Sequence, residues 1–212
     1  MATLLLIHGG LWEDTSADWF WGRPGVSTGL ERLGFTVVAP DRLRRAPSWA
    51  DEAAYVASAV RGAVSAALPA GPVTVIGGSF GCAVAARLAL EFPALTGRLL
   101  LAWPAALSDQ FLATRFRAEL ARLGAPHRVL DSLLGTETLP SVPDEELCAI
   151  TIPVGVIPSV PPNPLHSRGT VDALLRLLPD VTELPGCPEA PRPEFAAHLD
   201  AFLDAVAGFV GP

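Results

Sequence analysis

The chain has 212 residues, half of them hydrophobic, and a net charge of −7 at pH 7. It is long enough to bury a sizeable core, and its acidic balance argues against nonspecific binding to nucleic acid or anionic membranes. No apolar run approaches the roughly 20 residues of a membrane span, and Met1–Ile7 lacks the positive region and cleavage site of a signal peptide.

The three cysteines, Cys82, Cys148 and Cys187, have neither metal-ligand spacing nor an even count. A reducing cytoplasm is therefore the expected location, with no metal and no cofactor.

In chain order, residues 3–8 form a continuous apolar run, the mark of a strand buried on both faces. Residues 24–33 read as a helix closed by Gly34, and 35–39 as the next strand. Ser48, with an acid at Asp51, opens a helix expected to run to Leu68 and stop at Pro69. Strand 73–77 and helix 80–92 follow, then a strand at 98–103. Residues 106–149 carry helical spacing broken by Gly124, Pro126, Pro140 and Pro143, which predicts two or three short helices inserted above the sheet. Strand 153–158, helix 167–178, strand 181–185 and helix 193–209 complete the series. This alternation demands a mostly parallel sheet with helices on both faces, in one domain spanning 1–212.

Gly77-Gly78-Ser79-Phe80-Gly81 lies between the buried-strand pattern Val73–Ile76 and an Ala-rich helix. A serine at a sharp strand–helix turn, with glycine two residues away on each side, is the nucleophile elbow pattern. Glycine at the flanks removes side chains that would collide with the helix and the neighbouring strand. The alternative is a tight glycine turn whose serine caps the helix.

With these motifs in order, the chain resembles the α/β-hydrolase superfamily over nearly its whole length. Ile7-His8-Gly9-Gly10 is similar to the family's oxyanion loop, Ala39-Pro40-Asp41 to the end of its next strand, and Leu184-Pro185-Gly186 to the turn after its last strand. The resemblance implies an enzyme in which Ser79 is the nucleophile. The backbone N–H of Phe80, with that of Gly10 or Leu11, would form the oxyanion hole. It makes 106–149 a reduced lid and His8 a structural hydrogen-bonder of the loop.

The usual triad does not carry over. The family order is Ser, then Asp or Glu, then His. The acid position, after strand 153–158, falls on Asn163, and the histidine position, after strand 181–185, falls on Glu189. Asn163 can hold an imidazole by hydrogen bonding but cannot stabilise an imidazolium by charge. Glu189 could act as a base toward Ser79 or toward a substrate proton if burial raised its pKa. His166, on the loop leaving the C-terminal edge of the sheet, could instead reach Ser79 from the acid's side; its alternative is a residue at a helix N-terminus beside Ser167. His127 and His198 read as surface residues, and Asp41 and Asp109 as other acids near the site.

The pocket is expected to be apolar and aromatic, since Trp12, Trp19, Phe20 and Trp21 crowd the loop after His8-Gly9-Gly10. Trp12 and Trp103, at strand ends, are candidates for substrate contact, with core packing as the alternative. Arg42, Arg44 and Arg45 follow the second strand and could hold a carboxylate, with solvation as their default.

The reading is an enzyme acting on an apolar small-molecule carbonyl compound, an ester, thioester or lactone, with an atypical base and weak turnover of generic esters. Its alternatives are a non-hydrolytic isomerase, cyclase or lyase, and an inactive ligand-binding protein.

Overall fold

The structure is a computed structural model that describes residues 2–12, 15–67 and 71–211. The predicted helix end at Leu68 and Pro69, and the leader reading at Met1, fall outside them.

Six strands form one all-parallel sheet: β1 (Thr3–Ile7), β2 (Thr36–Val38), β3 (Val73–Gly78), β4 (Thr96–Ala102), β5 (Val154–Ile157) and β6 (Val181–Glu183). Their spatial order is β2-β1-β3-β4-β5-β6. The sheet sits between two helical layers, which explains the uninterrupted apolar strands. Leu5 and Ile7 of β1 enter one core with α2 (Trp49–Ala67) and α3 (Gly81–Glu91), whereas Leu4 and Leu6 enter a second with α1 (Val26–Arg32) and α8 (Leu199–Val210). Strand β4 divides in the same way, Leu99 and Leu101 to one side and Leu100 and Ala102 to the other. Strand side chains alternate between faces, so a strand covered on both sides is apolar along most of its length, with Thr74 of β3 a buried exception. The central strands lie between these layers, as the α/β-hydrolase fold class requires.

Residues 106–149 carry three helices, α4 (Gln110–Arg122), α5 (His127–Leu133) and α6 (Asp144–Leu147), ahead of β5 and α7 (Arg168–Leu177). Asp109 caps α4, its carboxylate accepting from the Leu112 N–H. The sequence reading misses a five-residue π-helix at Asp18–Gly22, because a single wide turn has no periodicity of its own. The predicted helix over 193–209 is a 3-10 segment, Pro193–His198, followed by α8. Among the described residues, no helix is long and apolar enough to cross a membrane.

Strand order reverses between β1 and β3, and in open α/β sheets the crevice at such a reversal is where ligands bind. There Ser79 follows β3 with φ 53°, a left-handed conformation costly for a side chain. Close backbone contact holds it. A Cβ on Gly81 would stand 2.4 Å from the Ile7 carbonyl oxygen and 2.7 Å from that of His8, and one on Gly77 would stand 2.6 Å from the Gly81 carbonyl oxygen. None of these backbone oxygens can swing aside as a side chain would.

Gly81→Ala should therefore lower stability by at least about 3 kcal/mol in urea unfolding, or yield no soluble protein. Gly208→Ala, at a helical site with nothing within 4 Å of the added Cβ, should raise it by roughly 0.5–1 kcal/mol.

Candidate active site

The loops after β1, β3, β5 and β6 meet at the C-terminal edge of the sheet. They surround a cavity of about 310 Å³ whose walls include Gly10, Leu11, Ser79, Phe80, His166 and Glu189.

Ser79 Oγ lies 2.9 Å from His166 Nε2. His166 Nδ1 lies 2.7 Å from Glu189 Oε1. All three side chains are buried. A carboxylate can only accept, so Nδ1 carries the proton, and in the neutral imidazole Nε2 is left as an acceptor facing the serine hydroxyl. The direct Ser79–Glu189 pairing considered from sequence is replaced by a relay with the imidazole between the two.

Local geometry delivers each member. The Asn163 amide oxygen accepts from the backbone N–H groups of Leu165 and His166, closing a tight turn that presents the imidazole. Those two obligate donors fix the amide orientation, so Nδ2 points the other way and donates to Glu189 Oε1 at 2.7 Å. Asn163 Nδ2 is also 3.2 Å from His166 Nδ1, but both atoms are donors here and this contact is no bond. Asn163 thus serves the carboxylate and the turn rather than the ring.

Glu189 is held from four sides. Oε1 accepts from His166, from Asn163 and, at 3.0 Å, from the Ser159 hydroxyl. Oε2 lies 2.6 Å from Arg192 Nε. Burial works to raise its pKa. The hydrogen bonds from His166, its own backbone amide and Ser159, with the attraction of His166, outweigh that and hold the carboxyl down at about 2. A bridge pairing Ser159 with Cys187 ties the β5 and β6 loops together, and the Trp103 indole N–H donates to the Cys187 carbonyl at 3.0 Å.

Trp103 itself is fully buried among Trp21, Phe195 and Phe202 and does not line the cavity. Trp12 also lies off it, its indole N–H donating to the Ala46 carbonyl. Both were candidates for substrate contact. They have positive φ angles, 51° and 62°, and both indoles are engaged by carbonyls of neighbouring loops rather than by the cavity. The cavity wall is instead aromatic and aliphatic through Trp19, Phe20, Phe116 and Leu165, with Arg192 at one side. Trp19 and Phe20 come from the aromatic cluster that follows the β1 loop in sequence, whereas Phe116 comes from the inserted helices and has no local sequence signal that marks a wall.

The remaining candidates lie elsewhere. His127 and His198 are exposed. Asp41 accepts from the Ala17 N–H, and Asp109 is the cap of α4. Arg45 lies over the Trp12 ring, and Arg42 is buried against Glu52. Among the described residues, no group of His, Cys, Asp and Glu side chains could hold a metal ion.

His8 sits beneath the β1 loop. Its Nδ1 donates to the Gly9 carbonyl at 2.8 Å, and its Nε2 accepts the Arg42 backbone N–H at 3.0 Å. This pattern needs the neutral ring. Burial, and then the Arg42 charge, push the imidazole down to about 4 against the opposing pull of the Gly9 hydrogen bond and Asp41.

Residues 2–117 match the family described as the alpha/beta hydrolase fold, and the chain belongs to it. Among solved structures, it is similar to a mutant meta-cleavage product hydrolase from Pseudomonas fluorescens IP01, with 17% identity, a TM-score of 0.67, and coverage of 99% of this chain and 90% of that one. It is also similar to the 2-hydroxy-6-oxo-6-phenylhexa-2,4-dienoate hydrolase of Rhodococcus sp. strain RHA1, with 15% identity, a TM-score of 0.69, and coverage of 99% and 90%. An extracellular alpha/beta-hydrolase of a Paenibacillus species matches at 16% identity and a TM-score of 0.60, over 97% and 99%. At these identities the likeness is one of fold. No curated protein sequence matches the chain.

Because the unfolded chain protonates His8 near 6.5 and the folded one near 4, the unfolded state binds more protons in between. The His8 contribution is complete above pH 6.5 and is lost as pH falls toward 4, at no more than about 1.4 kcal/mol per pH unit. Urea unfolding at pH 7 and pH 5 should show a smaller loss for His8→Gln than for the parent protein.

Proposed function

We propose that the protein is a serine hydrolase whose triad is Ser79, His166 and Glu189, with the family's histidine and acid positions exchanged. The observation that carries this reading is the continuous relay from Ser79 Oγ through the His166 ring to Glu189 Oε1, at 2.9 and 2.7 Å. These separations suit direct proton transfer and hydrogen-bonded orientation of a base. Family membership and the hydrolases among similar structures support it.

In this mechanism Ser79 Oγ attacks the substrate carbonyl carbon while its proton passes to His166 Nε2. The carbonyl π pair moves to oxygen, and the oxyanion is met by the backbone N–H of Phe80 and an N–H of the Gly10–Leu11 loop. Glu189 stabilises the imidazolium without taking its proton. His166 then protonates the leaving group as the carbonyl re-forms, giving an acyl-serine. Water, deprotonated by the same Nε2, releases the acid and restores Ser79.

The cavity volume and its Leu11, Phe20, Phe80, Phe116 and Leu165 walls suit a compact apolar acyl group. An ester, thioester or lactone is the substrate class. Residues 106–149 act as a reduced cap over the site, since Phe116 of α4 contributes to the wall. The three free thiols fit a reducing, cytoplasmic setting.

Hydrolysis of short p-nitrophenyl esters provides the test. Ser79→Ala and His166→Ala should each lower kcat by at least about 10³-fold, and the double variant should be little worse than either. Glu189→Gln should cost roughly 10²- to 10⁴-fold, with KM nearly unchanged. A serine-directed phosphonate should label the parent protein at Ser79 and spare His166→Ala. Absence of both labelling and turnover in the parent would instead favour the ligand-binding alternative.

A further inference from the structure

The β1 loop is gripped from behind by one buried side chain. Arg42 is 7% exposed and Glu52, on α2, is 2% exposed. The Arg42 Nε and Nη2 groups donate to the two Glu52 oxygens at 2.6 and 3.0 Å, a bidentate pair. The Nη1 group donates to the His8 carbonyl at 3.0 Å and to the Gly10 carbonyl at 2.8 Å. The Arg42 backbone N–H donates to His8 Nε2. Arg42 therefore spans the loop from His8 to Gly10 with three hydrogen bonds from two groups, Nη1 and the backbone N–H.

The Gly10 carbonyl and the Leu11 N–H belong to the same peptide unit. In a trans peptide these two groups point in opposite directions. A guanidinium that holds the carbonyl on the buried side turns the N–H toward the other side, and Leu11 lines the cavity together with Ser79. Drawing electron density toward the carbonyl oxygen also makes that N–H a stronger donor, because hydrogen bonds in series polarise one another. Among the described residues, neither the Leu11 nor the Phe80 N–H has an acceptor in the loop and turn bonding.

The same guanidinium reaches the other side of the site by packing. It lies over the Trp49 ring, 5.4 Å from the ring centroid, and Trp49 stacks on Phe80 with centroids 6.2 Å apart. Phe80 carries the N–H next to Ser79. One cation thus touches the supports of both donor peptides.

We propose that the buried Arg42–Glu52 pair is a positioning device that selects the Leu11 N–H as the second oxyanion donor and sets its distance from the Phe80 N–H. This rests on the serine-hydrolase reading above. Arg42 meets neither substrate nor reacting atoms in this scheme; it acts through the Gly10–Leu11 peptide. Only an arginine fits the task, since a lysine ammonium cannot bind two carboxylate oxygens and two carbonyls at once.

Removing one partner strands a buried charge and risks unfolding, so the pair is best replaced together. Apolar groups of similar volume in place of a buried ion pair often keep the fold. Arg42→Met with Glu52→Leu should remain folded by urea titration yet lower kcat on a short p-nitrophenyl ester roughly 10- to 100-fold. KM should change less than about threefold, as expected when a transition-state contact alone is lost. An aryl trifluoromethyl ketone, which forms a tetrahedral oxyanion with the serine, should lose affinity in proportion to kcat, whereas the unreactive methyl ketone should not. Arg42→Lys, the milder change, should show the same pattern to a smaller degree.

A folded double variant with parental kcat would overturn the proposal, as would equal losses for both ketones. If the double variant does not fold, Arg42→Lys decides on the same measurements. If the parent shows no Ser79-dependent turnover, the hydrolase reading fails by itself. Hydrogen exchange at the Leu11 amide then tests the positioning separately, and equal rates in the parent and Arg42→Lys would refute it.

Discussion

The left-handed turn at Ser79 is the constraint on which the site depends. It places a hydroxyl at the end of the central strand, where the loops of neighbouring strands can converge on it. That conformation is unfavourable in isolation and persists because the surrounding backbone leaves no alternative. Gly81 lets α3 approach the carbonyls of Ile7 and His8, and Gly77 lets the strand pass beneath the turn. Gly9 extends the same economy of space to the β1 loop, since a Cβ there would meet the Phe20 ring at 2.6 Å and Ser79 Cβ at 2.9 Å. The β1 loop and the turn at Ser79 are thus packed as one unit.

Around this unit, in the proposed triad, the imidazole of His166 arrives from the loop after β5 and the carboxylate of Glu189 from the loop after β6, opposite to the family order. The imidazole needs a ring nitrogen near Ser79 Oγ and a negative partner on its other nitrogen. Either loop can supply either member, provided the two loops are fixed relative to one another. The Ser159–Cys187 bridge and the Trp103 indole provide that fixation. Exchange of positions also explains the crowd of donors on Glu189. A carboxylate brought into a buried site must have its lone pairs met, and Ser159, Asn163, His166 and Arg192 meet them.

Two ionic arrangements therefore flank the serine, one fully buried and one half-exposed. Glu189 with the exposed Arg192 sits at the cavity wall. Arg42 with Glu52 is sealed behind the β1 loop and holds main-chain groups in place. The tryptophans are divided similarly. Trp103 and Trp49 support loops from within the core, whereas Trp19 is 45% exposed at the cavity.

The sequence by itself determined the fold class, the strand order of events along the chain and the elbow, because these rest on local patterns. Continuous apolar runs, glycines flanking Ser79 and helix breakers all act within a few residues. It also marked His166, Asn163 and Glu189 as the residues that break the usual order. Which of them meet one another was decided only by tertiary structure. Asn163 and His166 lie 26 and 23 positions before Glu189, and no periodicity relates residues on two separate loops. The same holds for Arg42, whose charge reads as a solvated strand-end arginine until α2 brings Glu52 against it. The aromatic cluster after the β1 loop was legible as pocket lining, but Phe116, brought to the wall from the inserted segment, has no local pattern, since a wall is defined by what faces it across space. Local propensity and packing are written along the chain, whereas the pairing of charges across loops exists only once the sheet has brought the loop ends together.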